Sequence, residues 1–237
     1  MCSICQSLEA APESITQMIM QQKMTDDQRV DDWYEQRRYV ITASEIGSLL
    51  GHNFYKSAED VISAKTNAIV YKDKCGNAIH SDAIDWGVKY ETEALDAFMK
   101  ATGHKVIQTG LLRHKDKPII AASPDGITYC GRTVEIKCPY SKISKTLRQV
   151  PKHYEDQVMA QMAVTGLTQA YFVQFRPRGY GDMGQKIAGQ PQTLMYITVD
   201  YDSEWLEKAY PILECAHNDI TRRVETHDKP ILFDLDS

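Results

Sequence analysis

Two short stretches hold the residue types that could do chemistry together: Ser123-Pro124-Asp125-Gly126 and Val134-Glu135-Ile136-Lys137-Cys138-Pro139. Glu135 and Lys137 are two positions apart, so on a strand they share a face. Asp125 falls at a turn that ends the preceding strand. If the two strands pair as a hairpin, the Asp125 and Glu135 carboxylates converge at one end. Two carboxylates aimed at one point make a hard-oxygen site suited to Mg2+ or Mn2+, and the backbone carbonyl of Ile136 is placed to serve as a further ligand. A lysine held beside them as a cation can orient a water or help deprotonate it, while the metal polarises a phosphate and lowers the pKa of that water. A Lewis acid, an aligned nucleophile and a charge facing the developing phosphorane are what phosphodiester hydrolysis requires. The spacing alone is common, because an ordinary half-exposed hairpin carrying Asp, Glu and Lys shows it too. The proline before Asp125, the glycine after it and the apolar Val134 and Ile136 add weight to the chemical reading.

The surrounding elements must bring these residues together. Residues 11–24 carry apolar side chains at helical spacing, and a second helix is expected from Asp26 to about Arg38. Thr42 or Ser44 can cap a short helix that Gly51 ends, and Ser57-Ala58-Glu59-Asp60 has capping-box form and opens a helix to about Lys65. Residues 67–80 read as a polar loop. Asp82–Thr102 is helical with Gly103 as its stop, and Trp86, Tyr90, Ala94, Ala97 and Phe98 form one apolar stripe. The period then changes. Lys105–Leu112, Pro118–Ala122 and Thr133–Cys138 read as strands, punctuated by turns at Pro124-Asp125-Gly126 and Cys130-Gly131. A helix over Pro151–Thr165, strands over Ala170–Arg176 and Thr193–Val199, and a last helix over Ser203–Glu225 complete the order. The expected fold class is α/β (α+β), a central mixed β-sheet flanked by helices. Residues 1–25 are expected to form an N-terminal helical arm and residues 26–237 a single domain.

Composition narrows the function. The net charge of -5 argues against a protein that coats nucleic acid by charge alone, yet it suits carboxylates that await a cation. No apolar run approaches the ~20 residues of a membrane span, and the N-terminus lacks a basic-then-apolar leader, so the expected location is intracellular and no membrane partner is expected. The six cysteines are expected to be reduced. Cys2 and Cys5 form a C-x-x-C pair, but zinc or an iron–sulfur cluster needs two more ligands and no second pair exists, so a frayed terminus is the expectation.

Four blocks in order resemble the lambda-exonuclease and YqaJ-type viral recombinase family of Pro-Asp…Glu-x-Lys nucleases: Arg37 to Ser44, Trp86 to Glu91, Ser123 to Gly126 with Glu135 to Pro139, and Tyr154-Glu155-Asp156-Gln157. The resemblance spans roughly Trp33 to Phe172 and implies a restriction-endonuclease-like PD-(D/E)XK core. It implies metal ligation by Asp125, Glu135 and Glu91, a catalytic Lys137, and a supporting Gln157. It also implies a 5′-phosphate pocket at Arg37, Ser44 and Ser123, with Thr42 nearby. From the residues themselves, Thr42 and Ser44 at a helix start offer hydroxyls and N–H groups to an anion and Arg37 a bidentate contact, though a plain helix cap beside a surface arginine looks the same.

The activity implied is Mg2+-dependent 5′→3′ exonucleolysis of linear double-stranded DNA, with Mn2+ able to substitute. The products would be 5′-mononucleotides and a 3′ tail for recombination by a single-strand annealing protein. Some family members form a ring-shaped homotrimer. The alternatives are a structure-selective endonuclease, a DNA/RNA nuclease on the same core, and a non-catalytic nucleic-acid-binding module. Lys142, Lys145, Arg148, Lys152, Arg176 and Arg178 could track a nucleic-acid backbone or simply be solvated. One departure stands out: relatives of the RecB and Cas4 type place a tyrosine four residues after the helical glutamine, where this chain has Gln161.

Overall fold

A computed structural model of the chain describes residues 2–66 and 81–227. The loop expected over 67–80 lies outside them. The elements are α1 Ser3–Ser7, α2 Glu13–Gln22, α3 Asp31–Arg38, β1 Ile41–Thr42, α4 Ala43–Leu49, α5 Ala58–Thr66, α6 Asp82–Thr102, β2 Val106–Ile107, β3 Leu112–Arg113, β4 Ile120–Ala122, β5 Gly126–Thr128, β6 Thr133–Lys137, α7 Lys152–Thr165, β7 Gln169–Arg176, β8 Thr193–Asp200 and α8 Trp205–His227. A five-stranded mixed sheet has the order β2-β5-β6-β7-β8, with only β6 and β7 parallel in it, and α7 is the crossover between those two. A smaller sheet, β1-β4-β3, lies apart from it. The fold is thus the mixed α/β class expected, with two sheets in place of one.

Both faces of β6 are covered. Val134 and Ile136 pack with Trp86, Tyr90, Ala94 and Phe98, the stripe of α6. That helix starts at Ser81, whose hydroxyl accepts from the Ile84 N–H at 3.2 Å, and stops at Gly103, which takes the left-handed φ of +73° that a side chain resists. On the opposite face, Val158 and Met162 of α7 pack with Ala170 and Phe172 of β7. Glu135, whose side chain points the other way from Val134 and Ile136, is therefore enclosed under α7 and 2% exposed.

Three local readings are corrected. The helix expected from Asp26 begins at Asp31, because Arg29 has φ +62° and Val30 is extended. The strand expected over Lys105–Leu112 is two strands in two sheets. They part at Gly110, where a Cβ would lie 2.2 Å from the Thr25 carbonyl oxygen, so the chain needs a glycine to pass Thr25. Asp125 does not end the strand that pairs with β6. The strand before it, β4, belongs to the small sheet, and the partner of β6 is β5, which opens at Gly126. A Cβ on Gly126 would sit 2.2 Å from Val106 Cγ1, so this glycine serves the close approach of β2. Among the described residues, no helix is long and apolar enough to cross a membrane.

Candidate active site

The register of β5 with β6 settles where the two carboxylates go. Gly126 pairs with Val134 and Ile127 with Thr133, so one step further Asp125 stands opposite Glu135. Past that point the free edge of β6 is capped by the side chain of Asp125, whose Oδ2 accepts from the Ile136 N–H at 2.6 Å. In a strand the N–H and C=O of one residue leave by the same edge, so the Ile136 carbonyl emerges on the Asp125 side. Lys137 Nζ lies 2.5 Å from Glu135 Oε1 and 4.6 Å from the centre of the Tyr154 ring. Gln157 ties the pair to α7: its amide donates to Glu135 Oε1 at 2.7 Å and its carbonyl oxygen accepts from Lys137 at 3.2 Å. Gln161, one turn on, donates to Glu135 Oε2 at 2.5 Å.

The electrostatics favour an added cation. Burial, then Glu135 and Glu91, push Asp125 well above the usual carboxylate range, and Lys137 and the Ile136 N–H only partly offset them. Burial opposes the charge on Lys137, but Glu135, the Tyr154 oxygen and Asp125 outweigh it and hold the ammonium above the ordinary lysine range. Two carboxylates, Asp125 and Glu135, with the Ile136 carbonyl are a donor set that a small divalent ion fits by charge and by hardness.

Glu91, on α6, acts on Asp125 through its charge. Its two oxygens accept from the guanidinium of Arg29, through Nη1 at 3.2 Å and through Nη2. Arg29 was no part of the sequence reading. It sits in a left-handed turn of a polar stretch, and nothing in residue type or spacing marks it. Gln161 was legible only as a departure from related nucleases, yet it holds the second oxygen of Glu135.

A second cluster forms where α3 meets α4. Arg37 Nη2 donates to Thr42 Oγ1 at 3.0 Å and to Ser44 Oγ at 3.1 Å, and its guanidinium stacks 4.2 Å over the Trp33 ring. Trp33 Nε1 in turn donates to Ser123 Oγ at 2.9 Å, so Ser123 joins the cluster through Trp33, a residue the sequence reading used only as a boundary. Thr42 and Glu45 form a capping box at the start of α4. Beneath it, Glu45 pairs with Lys65 at 3.0 Å. Arg176 is not available to nucleic acid: it is 5% exposed and ties the following loop, through Asp182 at 2.6 Å, to the segment after β6, through the Ser141 carbonyl at 3.1 Å. Asp156, next to Gln157, points elsewhere and bonds His52 and Trp205.

Comparison with known proteins gives these residues a context. The chain is 28% identical over 167 residues to uncharacterized protein R354 of Acanthamoeba polyphaga mimivirus, covering 62% of this chain and 29% of that protein. It is 27% identical over 174 residues to protein D345L of African swine fever virus, covering 60% and 48%. The chain thus spans less than half the length of these relatives. The alkaline exonuclease LHK-Exo of Laribacter hongkongensis has a similar fold: in its complex with dAMP the TM-score is 0.66 at 21% identity, over 84% of this chain and 96% of that one. A phage-related exonuclease from Haemophilus somnus aligns with a TM-score of 0.56 at 14% identity, over 79% and 96%. The model of the YqaJ-like viral recombinase domain matches residues 32–168, which hold Arg37, Thr42, Ser44, Glu91, Ser123, Asp125, Glu135, Lys137 and Gln157. The chain belongs to the YqaJ-like viral recombinase domain family.

Proposed function

We propose that the chain is a Mg2+-dependent 5′→3′ exonuclease acting on linear double-stranded DNA, with Mn2+ able to substitute. The observation that carries this reading is the register that sets Asp125 opposite Glu135, with Lys137 and Gln157 locked onto the same carboxylate. Asp125, Glu135, Glu91 and the Ile136 carbonyl would hold the divalent ion. When bound, the ion supplies Lewis-acid polarisation of the scissile phosphate and a lowered pKa for a nearby water.

The protein's own groups do the rest. Gln157 and Gln161 fix both oxygens of Glu135, so the carboxylate meets the reacting centre in one orientation. Lys137 holds its charge against burial, and with substrate bound it would orient the attacking water and stabilise charge on the phosphate oxygens. Arg37, Thr42, Ser44 and Ser123 would take the 5′-terminal phosphate: one guanidinium and hydroxyls beside a helix start form an anion cradle. The products would be 5′-mononucleotides, of which the dAMP bound by LHK-Exo is an example. The remaining 3′ tail would be the substrate of a single-strand annealing protein. A homotrimer ring is the assembly this reading favours.

The test is incubation with Mg2+ and end-labelled linear duplexes, with and without a 5′ phosphate. Mononucleotide release from the phosphorylated 5′ end, with slower release from the unphosphorylated end, is expected. Release from the 3′ end alone would overturn the polarity. Cleavage of closed circular DNA or of RNA would replace the reading with the endonuclease or DNA/RNA nuclease alternative.

A further inference from the structure

At the far end of the β5–β6 hairpin from Asp125, the structure gathers Cys2, Cys5, His104 and Cys130, with one ligand atom from each lying within 4.8 Å of the others. The terminus expected to fray is instead a short helix with Cys5 fully buried. Cys2 is the N-cap of α1 and Cys5 lies inside that helix three positions on, and their sulfurs meet in the same cluster. His104 follows the glycine stop of α6, and Cys130 sits in the turn between β5 and β6. The two missing ligands of the C-x-x-C pair therefore come singly from distant points in the chain, which is why no spacing in the sequence shows them.

We infer that these four residues form a structural zinc site of Cys3His type. Zn–S bonds of about 2.3 Å and a Zn–N bond of about 2.0–2.1 Å in a tetrahedron put sulfur and nitrogen about 3.6 Å apart. His104 Nδ1 lies 3.2 Å from Cys5 Sγ and 3.6 Å from Cys130 Sγ, close to that edge. The imidazole is oriented for the task. His104 Nε2 is 2.9 Å from the Tyr171 hydroxyl, which also accepts from Arg132 Nη1 at 2.8 Å. With Nε2 carrying the proton, the lone pair of Nδ1 faces the sulfurs, the arrangement a metal-binding histidine needs.

Binding forms three Zn–S bonds and one Zn–N bond and releases the three thiol protons to solvent. Three thiolates on Zn2+ leave a charge of -1, which the nearby Arg132 guanidinium balances. Three soft sulfurs and one imidazole select Zn2+ over Mg2+, and four protein ligands leave no open position for chemistry. The site would staple α1 to the start of β2 and to the β5–β6 turn, bracing from behind the hairpin whose other end carries Asp125 and Glu135.

The test uses the full chain purified under reducing conditions without chelator. One zinc per chain by elemental analysis is expected, and Co2+ exchanged for it should give the intense visible bands of a tetrahedral ion with thiolate charge transfer. Cys5→Ser and Cys130→Ser should lose both signals; Cys215→Ser and Asp125→Asn should keep both. If the serine variants do not fold, His104→Cys keeps four ligands and should retain stoichiometric metal with stronger charge transfer. Substoichiometric metal after zinc is supplied, a cobalt spectrum without thiolate charge transfer, or a disulfide among Cys2, Cys5 and Cys130 in the reduced preparation would overturn the site.

Discussion

Among the described residues there are two enclosed Lys–Glu pairs, Lys65–Glu45 and Lys137–Glu135, and their surroundings differ. Lys65 is saturated: its ammonium meets Glu45 Oε2 at 3.0 Å and the carbonyls of Arg37 and Val40 at 2.6 and 2.8 Å, and its side chain is 1% exposed. Lys137 meets Glu135 and the Gln157 carbonyl and is 22% exposed. Glu45 has cations for neighbours, since Lys65, Arg37 and the Thr42 N–H outweigh burial and hold it below the ordinary carboxylate range. Asp125, opposite Glu135, instead has the carboxylates of Glu135 and Glu91 for neighbours. Burial of an ion pair therefore says little about function. What separates the two sites is the sign of the charge left over: positive around Glu45, where Lys65 and Arg37 face one carboxylate, and negative where Asp125, Glu135 and Glu91 outnumber Lys137 and Arg29.

Exchanging or trimming these groups tests that contrast. Lys137→Ala should lower kcat by about 10²–10⁴-fold, the range for loss of a positioned proton-transfer group, while far-ultraviolet circular dichroism stays unchanged. Loss of fold together with activity would place Lys137 with Lys65 as a structural cation. Lys65→Met should do the reverse. Stranding Glu45 in the interior costs about 3–5 kcal/mol, a fall in Tm on the order of 10 °C for a chain of this size. The kcat of the remaining folded protein at saturating DNA should stay within about twofold.

Much of this is legible in the sequence. The Glu-x-Lys spacing puts Glu135 and Lys137 on one face of a strand because a strand repeats every two residues, and the apolar stripe with Gly103 as its stop gives α6 the bounds Asp82–Thr102. The rest depends on contacts distant in sequence. Glu45 and Lys65 are twenty positions apart on separate helices, Arg29 and Glu91 meet across two elements, and the partner strand of β6 was hidden because Gly126 looks like a turn residue and serves a close strand approach. Gln157 is implied only by resemblance, yet its amide bonds both members of the Glu135–Lys137 pair.

Smaller effects sharpen the comparison further. Gln157→Ala should reduce activity about 10–100-fold, the usual cost of losing a group that orients a ligating carboxylate, with a matching weakening of metal affinity. A kcat loss with unchanged metal affinity would mean that Gln157 acts through Lys137 instead. The weakest effect should be seen with pH. Because the folded-state pKa of Glu45 is depressed, its stabilising contribution is complete above about pH 4.3 and fades as pH falls through the folded value. The Tm difference between wild type and Glu45→Gln should accordingly hold steady from pH 7 to 5 and shrink below pH 4. A difference that persists undiminished into strong acid would mean that Glu45 contributes by packing alone.

The most direct measurement is the anomalous diffraction of crystals soaked in Mn2+. A peak bridging Asp125 and Glu135, with carboxylate oxygens at about 2.0–2.6 Å and absent in Asp125→Asn, is the predicted result. No peak there at a Mn2+ concentration that supports cleavage would contradict the assignment of these residues as the metal centre.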